Sequence, residues 1–159
     1  MSNTVTVQVD PILQNGSQGS KVKELQELLN HEFGDRKQIA VDGIFGPNTE
    51  RAVKIIQYRY FLKQDGVVGG KTWYVLRTRS LFEKPSLHRG SHGDLVGRVQ
   101  QVLKKGGFYK GIVDGDFGSR TEDAVKALQK DRKLSNADGV ISNDTWQALV
   151  ELAHIVTAA

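Results

Sequence analysis

The order of polar and apolar positions along this chain is written twice. Residues 13–29 read LQNGSQGSKVKELQELL and residues 87–103 read LHRGSHGDLVGRVQQVL, an ungapped match at an offset of 74. VDGIFGPNTERAVKIIQ (41–57) meets VDGDFGSRTEDAVKALQ (113–129) at an offset of 72, and DGVVGGKTWYVL (65–76) meets DGVISNDTWQAL (138–149). Self-similarity of this length, with small gaps confined to loops, is duplication. Within each copy, apolar residues recur at helical spacing in three places. The first stripe is Val22, Leu25, Leu28 and Leu29, answered by Val96, Val99, Val102 and Leu103. The second is Thr49, Ala52, Val53, Ile56 and Tyr60, answered by Thr121, Ala124, Val125 and Leu128. The third pairs Trp73 with Leu76, and Trp146 with Leu149, three residues apart on one face.

The punctuation between the stripes agrees with this reading. Ser20 and Asp94 share a slot ahead of the first stripe and are expected to cap it. Pro47 suits a first helical turn, where its missing N–H is harmless. Ser142 suits the cap of the last helix, and Gly34 and the Gly106-Gly107 pair suit helix ends that need left-handed backbone. The pattern therefore predicts an all-α fold of two tandem three-helix modules, repeat 1 over 12–78 and repeat 2 over 86–153, joined near RTRSLFEKPS (77–86). Beyond the second copy lies a tail ending in HIVTAA, and at the other end TVTVQV alternates as a short extended N-terminal arm would.

Composition narrows the chemistry. With 159 residues and no cysteine, the chain has no disulfides, thiolate metal sites or cysteine nucleophile, so two small units must be held by packing alone. No stretch approaches the roughly 20 apolar residues of a membrane span, and the N-terminus lacks the basic start and apolar run of a secretory signal. The net charge of +4 is spread over both halves. It favours polyanions in general without naming one.

The frame shared by the copies, G-S-x-G…V-x-x-x-Q, V-D-G-x-F-G-x-x-T-E-x-A-V-K-x-x-Q and D-G-V…T-W-x-x-L, resembles the peptidoglycan-binding-like domain family, small three-helix modules attached to bacterial wall hydrolases and phage endolysins. The resemblance covers nearly the whole chain. Copy two is the closer match, through GGFYKGIVDGDFG, where copy one has the divergent HEFGDRKQIAVDGIFG. It implies non-catalytic binding of peptidoglycan or muropeptide for anchoring or targeting, with no cofactor. Location at the bacterial cell envelope is expected if the chain is exported by a non-classical route, and is otherwise left open. If a single copy binds the wall, the closer match favours the second. The family resemblance extends to metalloproteinase prodomains that silence their enzyme through a cysteine, a mechanism excluded here.

Of the candidate chemistry, little survives inspection. The four histidines are not paired at metal-ligand spacing on a helix, and no metal is expected. Ser91-His92-Gly93-Asp94 places a carboxylate where an L,D-transpeptidase has its nucleophilic cysteine. Gly69-Gly70-Lys71-Thr72 lacks the first glycine and preceding strand of a phosphate loop. Asp42 and Asp114 can bind backbone N–H groups of their Asp-Gly turns, with Phe45 and Phe117 plugging the core beneath. The family's ligand lies near this loop and the following helix, which makes Asp42, Asn48, Arg51, Asp114, Arg120 and Asp123 the candidate ligand-binding residues. Trp73 and Trp146 are expected in the core. Ile55 and Tyr58 fall opposite the buried face of the second helix, where copy two has Ala127 and Lys130, and so form a candidate contact surface. The alternative reading is a protein–protein interaction or scaffold module of the same fold, docking a wall hydrolase or an envelope or phage-type assembly without binding glycan. Nucleic-acid binding is disfavoured, because acidic residues interrupt the basic positions of the second helix in both copies.

Overall fold

The computed structural model describes residues 9–34 and 39–158. Most of the expected N-terminal arm falls on residues 1–8, outside the described residues. Among the described residues the fold is all-helical: α1 (Ser20–Phe33), α2 (Pro47–Arg59), α3 (Gly70–Thr78), α4 (Asp94–Lys105), α5 (Ser119–Asp131) and α6 (Asn143–Val156). No helix there is long and apolar enough to cross a membrane. Two compact units result, one from the chain up to Gln57 with Gln64–Ser80, the other from Tyr58–Lys63 with Leu81 onward.

In the first unit the three stripes converge, burying Val22, Leu25, Leu29, Val53, Ile56, Trp73 and Leu76 around Phe45. Leu28, expected in the stripe, is half-buried, whereas its counterpart Val102 is fully buried. In the second unit Val96, Val99, Leu103, Val125, Leu128, Trp146 and Leu149 play the same part around Phe117. Phe61 in that unit presents its ring edge-on to Trp146, with centroids 5.4 Å apart. Each indole N–H is tied to the segment that precedes its repeat: Trp73 Nε1 donates to the Pro11 carbonyl at 2.9 Å and Trp146 Nε1 to that of Pro85 at 3.0 Å. Isolated bridges, Leu13 with Val68 and Leu87 with Ile141, hold the same segments from the other side.

Two local expectations need correction. Ser20 and Asp94 are not caps but the first residues of α1 and α4; the caps are Gly19 and Gly93, with φ of 122° and 121° and no side-chain cap bond. The backbone path chooses them. Gly19 N–H donates to Gly43 O and its carbonyl receives Lys23 N–H, and Gly93 does the same with Gly115 and Gly97. That φ is open to glycine and strained for any side chain. Asp94 keeps a favourable place in the first turn, against the positive end of the helix dipole. The first half of the stretch read as a C-terminal tail, residues 154–156, is helical: α6 runs on to Val156 beyond a buried face that includes Val150, Leu152 and Ala153. Gly106 makes room for that face, since a Cβ there would stand 2.8 Å from Leu152.

Candidate functional site

The strings shared by the two copies fold into a polar lock that is repeated four times among the described residues. In α1, the buried Gln26 directs Nε2 at Asp42 Oδ1 (3.0 Å), Ile44 O (3.1 Å) and Thr49 Oγ1 (3.2 Å), while its Oε1 accepts the Gly43 N–H at 2.9 Å. Gln57 does the same with Asp65, Val67, Thr72 and Gly66. Gln100 repeats it with Asp114, Asp116, Thr121 and Gly115, and Gln129 with Asp138, Val140, Thr145 and Gly139. A glutamine on one helix thus fastens the following Asp-Gly turn to a threonine at the start of the next helix. Each carboxylate also caps its own turn, as when Asp42 accepts the Ile44 N–H at 3.0 Å and Asp114 the Asp116 N–H at 2.9 Å. Buried polar groups are tolerable only when paired in this way.

The remaining frame residues serve the same end. Ser17 Oγ accepts the Gln14 N–H and Ser91 Oγ the His88 N–H. The Gly-Ser-x-Gly loop then pairs with the Asp-Gly turn through Gly16 N–H to Phe45 O and Phe45 N–H to Ser17 O, repeated by Gly90, Phe117 and Ser91. Phe45 and Phe117 lie beneath, buried.

Asp42 and Asp114 are therefore exposed residues whose carboxylates already hold structural partners. The Gln26 amide, and then the Ile44 N–H, keep the Asp42 carboxyl below its ordinary range. For Asp114 the Asp116 N–H contributes most, followed by Gln100. Both stay anionic at neutral pH, and both can meet a ligand only as components of a rigid turn.

Asn48, Arg51, Arg120 and Asp123 stand differently. All four are exposed on the first turns of α2 and α5. Asn48 and Arg51 also share a groove in the first unit, a cavity of about 180 Å³ lined by Phe33, Ile39, Ala40, Ala52 and Ile55 as well. The wall at Ile39 is fixed by Asn30, which accepts the Ile39 N–H at 2.8 Å and donates to its carbonyl at 2.9 Å. Ile55, expected to face solvent, is instead half-buried in this groove, because the chain returning at Ile39 and Ala40 covers that side of α2. Tyr58 is half-buried too, within the second unit: Lys105 Nζ lies 5.5 Å from its ring centroid, and burial raises the phenol above its ordinary pKa. The second unit has a shallower cleft of about 380 Å³ beside Trp146, lined by Lys84, Ser86, Ser142, Asn143 and Asp144. Among the described residues no group of three or more His, Cys, Asp or Glu side chains could hold a metal ion.

Sequence reasoning missed the four glutamines and the Pro–Trp straps. Their signal was present: Gln26/Gln100, Gln57/Gln129 and Pro11/Pro85 all align between copies. A polar residue recurring inside an apolar stripe is the trace of a buried amide with a fixed partner.

Comparison with known proteins agrees with this geometry. A family model described as "Putative peptidoglycan binding domain" matches residues 18–76 and 92–149, one match per copy and well over half of the chain. The N-acetylmuramoyl-L-alanine amidase CwlM of Mycobacterium tuberculosis is 31% identical over 138 residues, covering 82% of this chain and 34% of its own length. The amidase CwlL of Bacillus licheniformis is 33% identical, covering 89% of this chain and 46% of its own length. The chain thus spans less than half of these two relatives. Among solved structures, the SleB N-terminal domain is 38% identical, with 45% of this chain and 97% of that one covered at a TM-score of 0.43.

Proposed function

The chain belongs to the peptidoglycan-binding domain family, and from that premise we propose that it is a non-catalytic, two-module binder of bacterial cell-wall peptidoglycan that anchors or targets what it is attached to at the wall. The observation that carries this reading is the family match across both copies, residues 18–76 and 92–149. The amidase activity named for CwlM and CwlL belongs to proteins more than twice the length matched here. The division of labour inside each module supports the same view. The recurring frame is consumed by locks, straps and core, whereas Asn48, Arg51, Arg120 and Asp123 project from equivalent helix starts with little structural duty. Charged and amide groups so placed suit the carboxylates and amides of muropeptides.

Two modest sites on one chain raise the apparent affinity for a polymeric wall through effective concentration, without new contacts. Co-sedimentation with purified sacculi tests the reading. The full chain is expected to pellet, and each module alone to retain a small share of the binding. Failure to pellet with sacculi of several chemotypes, alongside stoichiometric capture of one protein from lysate, would replace it with the interaction-module reading.

A further inference from the structure

The two copies differ sharply in polarity where their second helices end. At the offset of 72 that aligns 41–57 with 113–129, the string YRYFL (58–62) meets KDRKL (130–134). The backbone turns alike in both. Phe61 and Lys133 take φ of 58° and 56°, and their N–H groups donate to Tyr58 O and Lys130 O. The side chains part company. Arg59, Tyr60, Phe61 and Leu62 are all buried, whereas Asp131 and Lys133 are exposed and Arg132 and Leu134 half-buried. An aromatic residue in left-handed backbone is strained, and persists only where its surroundings hold it.

What holds this string is the second unit, to which Tyr58–Lys63 belong although they lie in the first copy. The Phe61 ring meets Trp146 edge-on, and the Tyr60 ring meets His154 at 89° with centroids 5.5 Å apart. Arg59 Nε donates to Thr157 Oγ1 at 2.7 Å, and Lys105 Nζ stands 5.5 Å from the Tyr58 ring centroid. His154 and Thr157 lie beyond the frame shared by the copies, which ends at Leu149. The added length of α6 thus supplies partners for the string. The first unit is different: the chain up to Gln57 and Gln64–Ser80 come from the first copy alone.

We propose that residues 58–63 are a closing strap of the second module. The second module is then a composite of both copies, incomplete when cut at the repeat boundary, and the dependence runs one way. Burying two aromatic rings removes a large apolar area from water, and the Arg59 bond adds a charged donor that would otherwise face solvent. The charged string at 130–134 lacks the rings and serves no such end. This goes beyond the wall-binding reading and does not rest on it, since it concerns how the second module is completed, whatever it binds. A single-module form used for sacculus binding has to keep residues 58–63.

Hydrogen exchange on the full chain tests the strap, with α4 and α6 reporting the second unit and α1 and α3 the first. Phe61→Lys, which installs the aligned residue of the second copy, is expected to lower protection in α4 and α6 by roughly tenfold or more while α1 and α3 change by less than about twofold. Phe61→Leu keeps an apolar side chain and should show the same selectivity at about threefold, which covers the case in which the charged variant does not fold. Lys133→Ala, at the aligned and exposed position, should leave both units within about twofold of the wild type. Loss confined to α1 and α3, equal loss in both units, or unchanged protection in the Phe61 variants overturns the proposal.

Discussion

In the first unit Asp10 sits between Arg77 (2.8 Å) and Lys21 (3.1 Å), and Glu24 in turn meets Arg77 (2.8 Å) and Lys21 (3.0 Å), with the Arg77 guanidinium 4.9 Å above the Trp73 ring. In the second unit the aligned positions hold Lys84, Val150, Leu95 and Arg98, and Val150 is buried. Where the first unit has a four-charge cluster, the second thus has two apolar and two basic residues. One layer inward, Gln26 and Gln100 make the same bonds to the same residue types, to within a few tenths of an ångström. The difference shows where sequence change is cheap. Partly exposed ion pairs contribute about 0–1 kcal/mol, so their loss is tolerated. A buried amide with several partners cannot be exchanged without stranding them. Divergence therefore accumulates on the outer surface while the inner lock stays.

Several substitutions would break or sharpen this contrast. The largest effect is expected from the core: Trp146→Ala, removing a side chain 3% exposed, should destabilise the second unit by about 3–5 kcal/mol. Trp73→Ala should do the same to the first. Hydrogen exchange at α4 and α6 against α1 and α3 reports each unit separately, and a loss restricted to the exposed surface would argue against a core role.

Gln100→Leu comes next, because it keeps the volume but leaves the Gly115 N–H, the Asp116 carbonyl and the Thr121 hydroxyl without their partner. A cost of about 2–4 kcal/mol is expected, with Gln26→Leu costing the same within the error of the measurement. Unequal losses in urea titrations of the two variants would mean that the locks are alike only in geometry.

Gly115→Ala should cost about 1–2 kcal/mol, since φ is +75° and the new Cβ would lie 3.0 Å from the Gly93 carbonyl oxygen. Gly43→Ala is expected to cost slightly less, its nearest backbone atom being 3.2 Å away. Thermal unfolding of the pair checks the order.

The smallest effect is the one that separates the units by pH. The Asp10 carboxyl is held below its ordinary range first by its bond to Arg77, and the Glu24 carboxyl first by its bond to Lys21. A folded-state pKa below the unfolded one gives stability that is complete above the ordinary carboxyl range and is lost as pH falls through the lowered value. Acid should therefore weaken the first unit more than the second, the Asp42 and Asp114 contributions being common to both. Asp10→Asn should flatten that excess sensitivity, and about 0.5 M salt should reduce it. Equal acid sensitivity of the two units in the wild type would show that the cluster contributes nothing.

The helices, their order and the buried faces were legible in the sequence, because helical periodicity is a local property and the duplication presented each pattern twice. Phe45, Phe117, Trp73 and Trp146 could be placed in the core on the same ground, and the Asp-Gly turns announced their own hydrogen bonds. Tertiary structure decided the rest. The caps at Gly19 and Gly93 depend on a turn some 20 residues away, so Ser20 and Asp94 were locally better choices that the backbone path overrode. The partners of the four glutamines lie on a different helix or turn, and a sequence shows that a glutamine recurs without showing what it holds. Ile55 changed from an outward residue to a groove wall because the returning chain at Ile39 covers it. The physical reason is common to all three: periodicity reports which side of an element avoids water, whereas a cap, a lock or a groove exists only when separate segments meet at hydrogen-bonding or van der Waals distance.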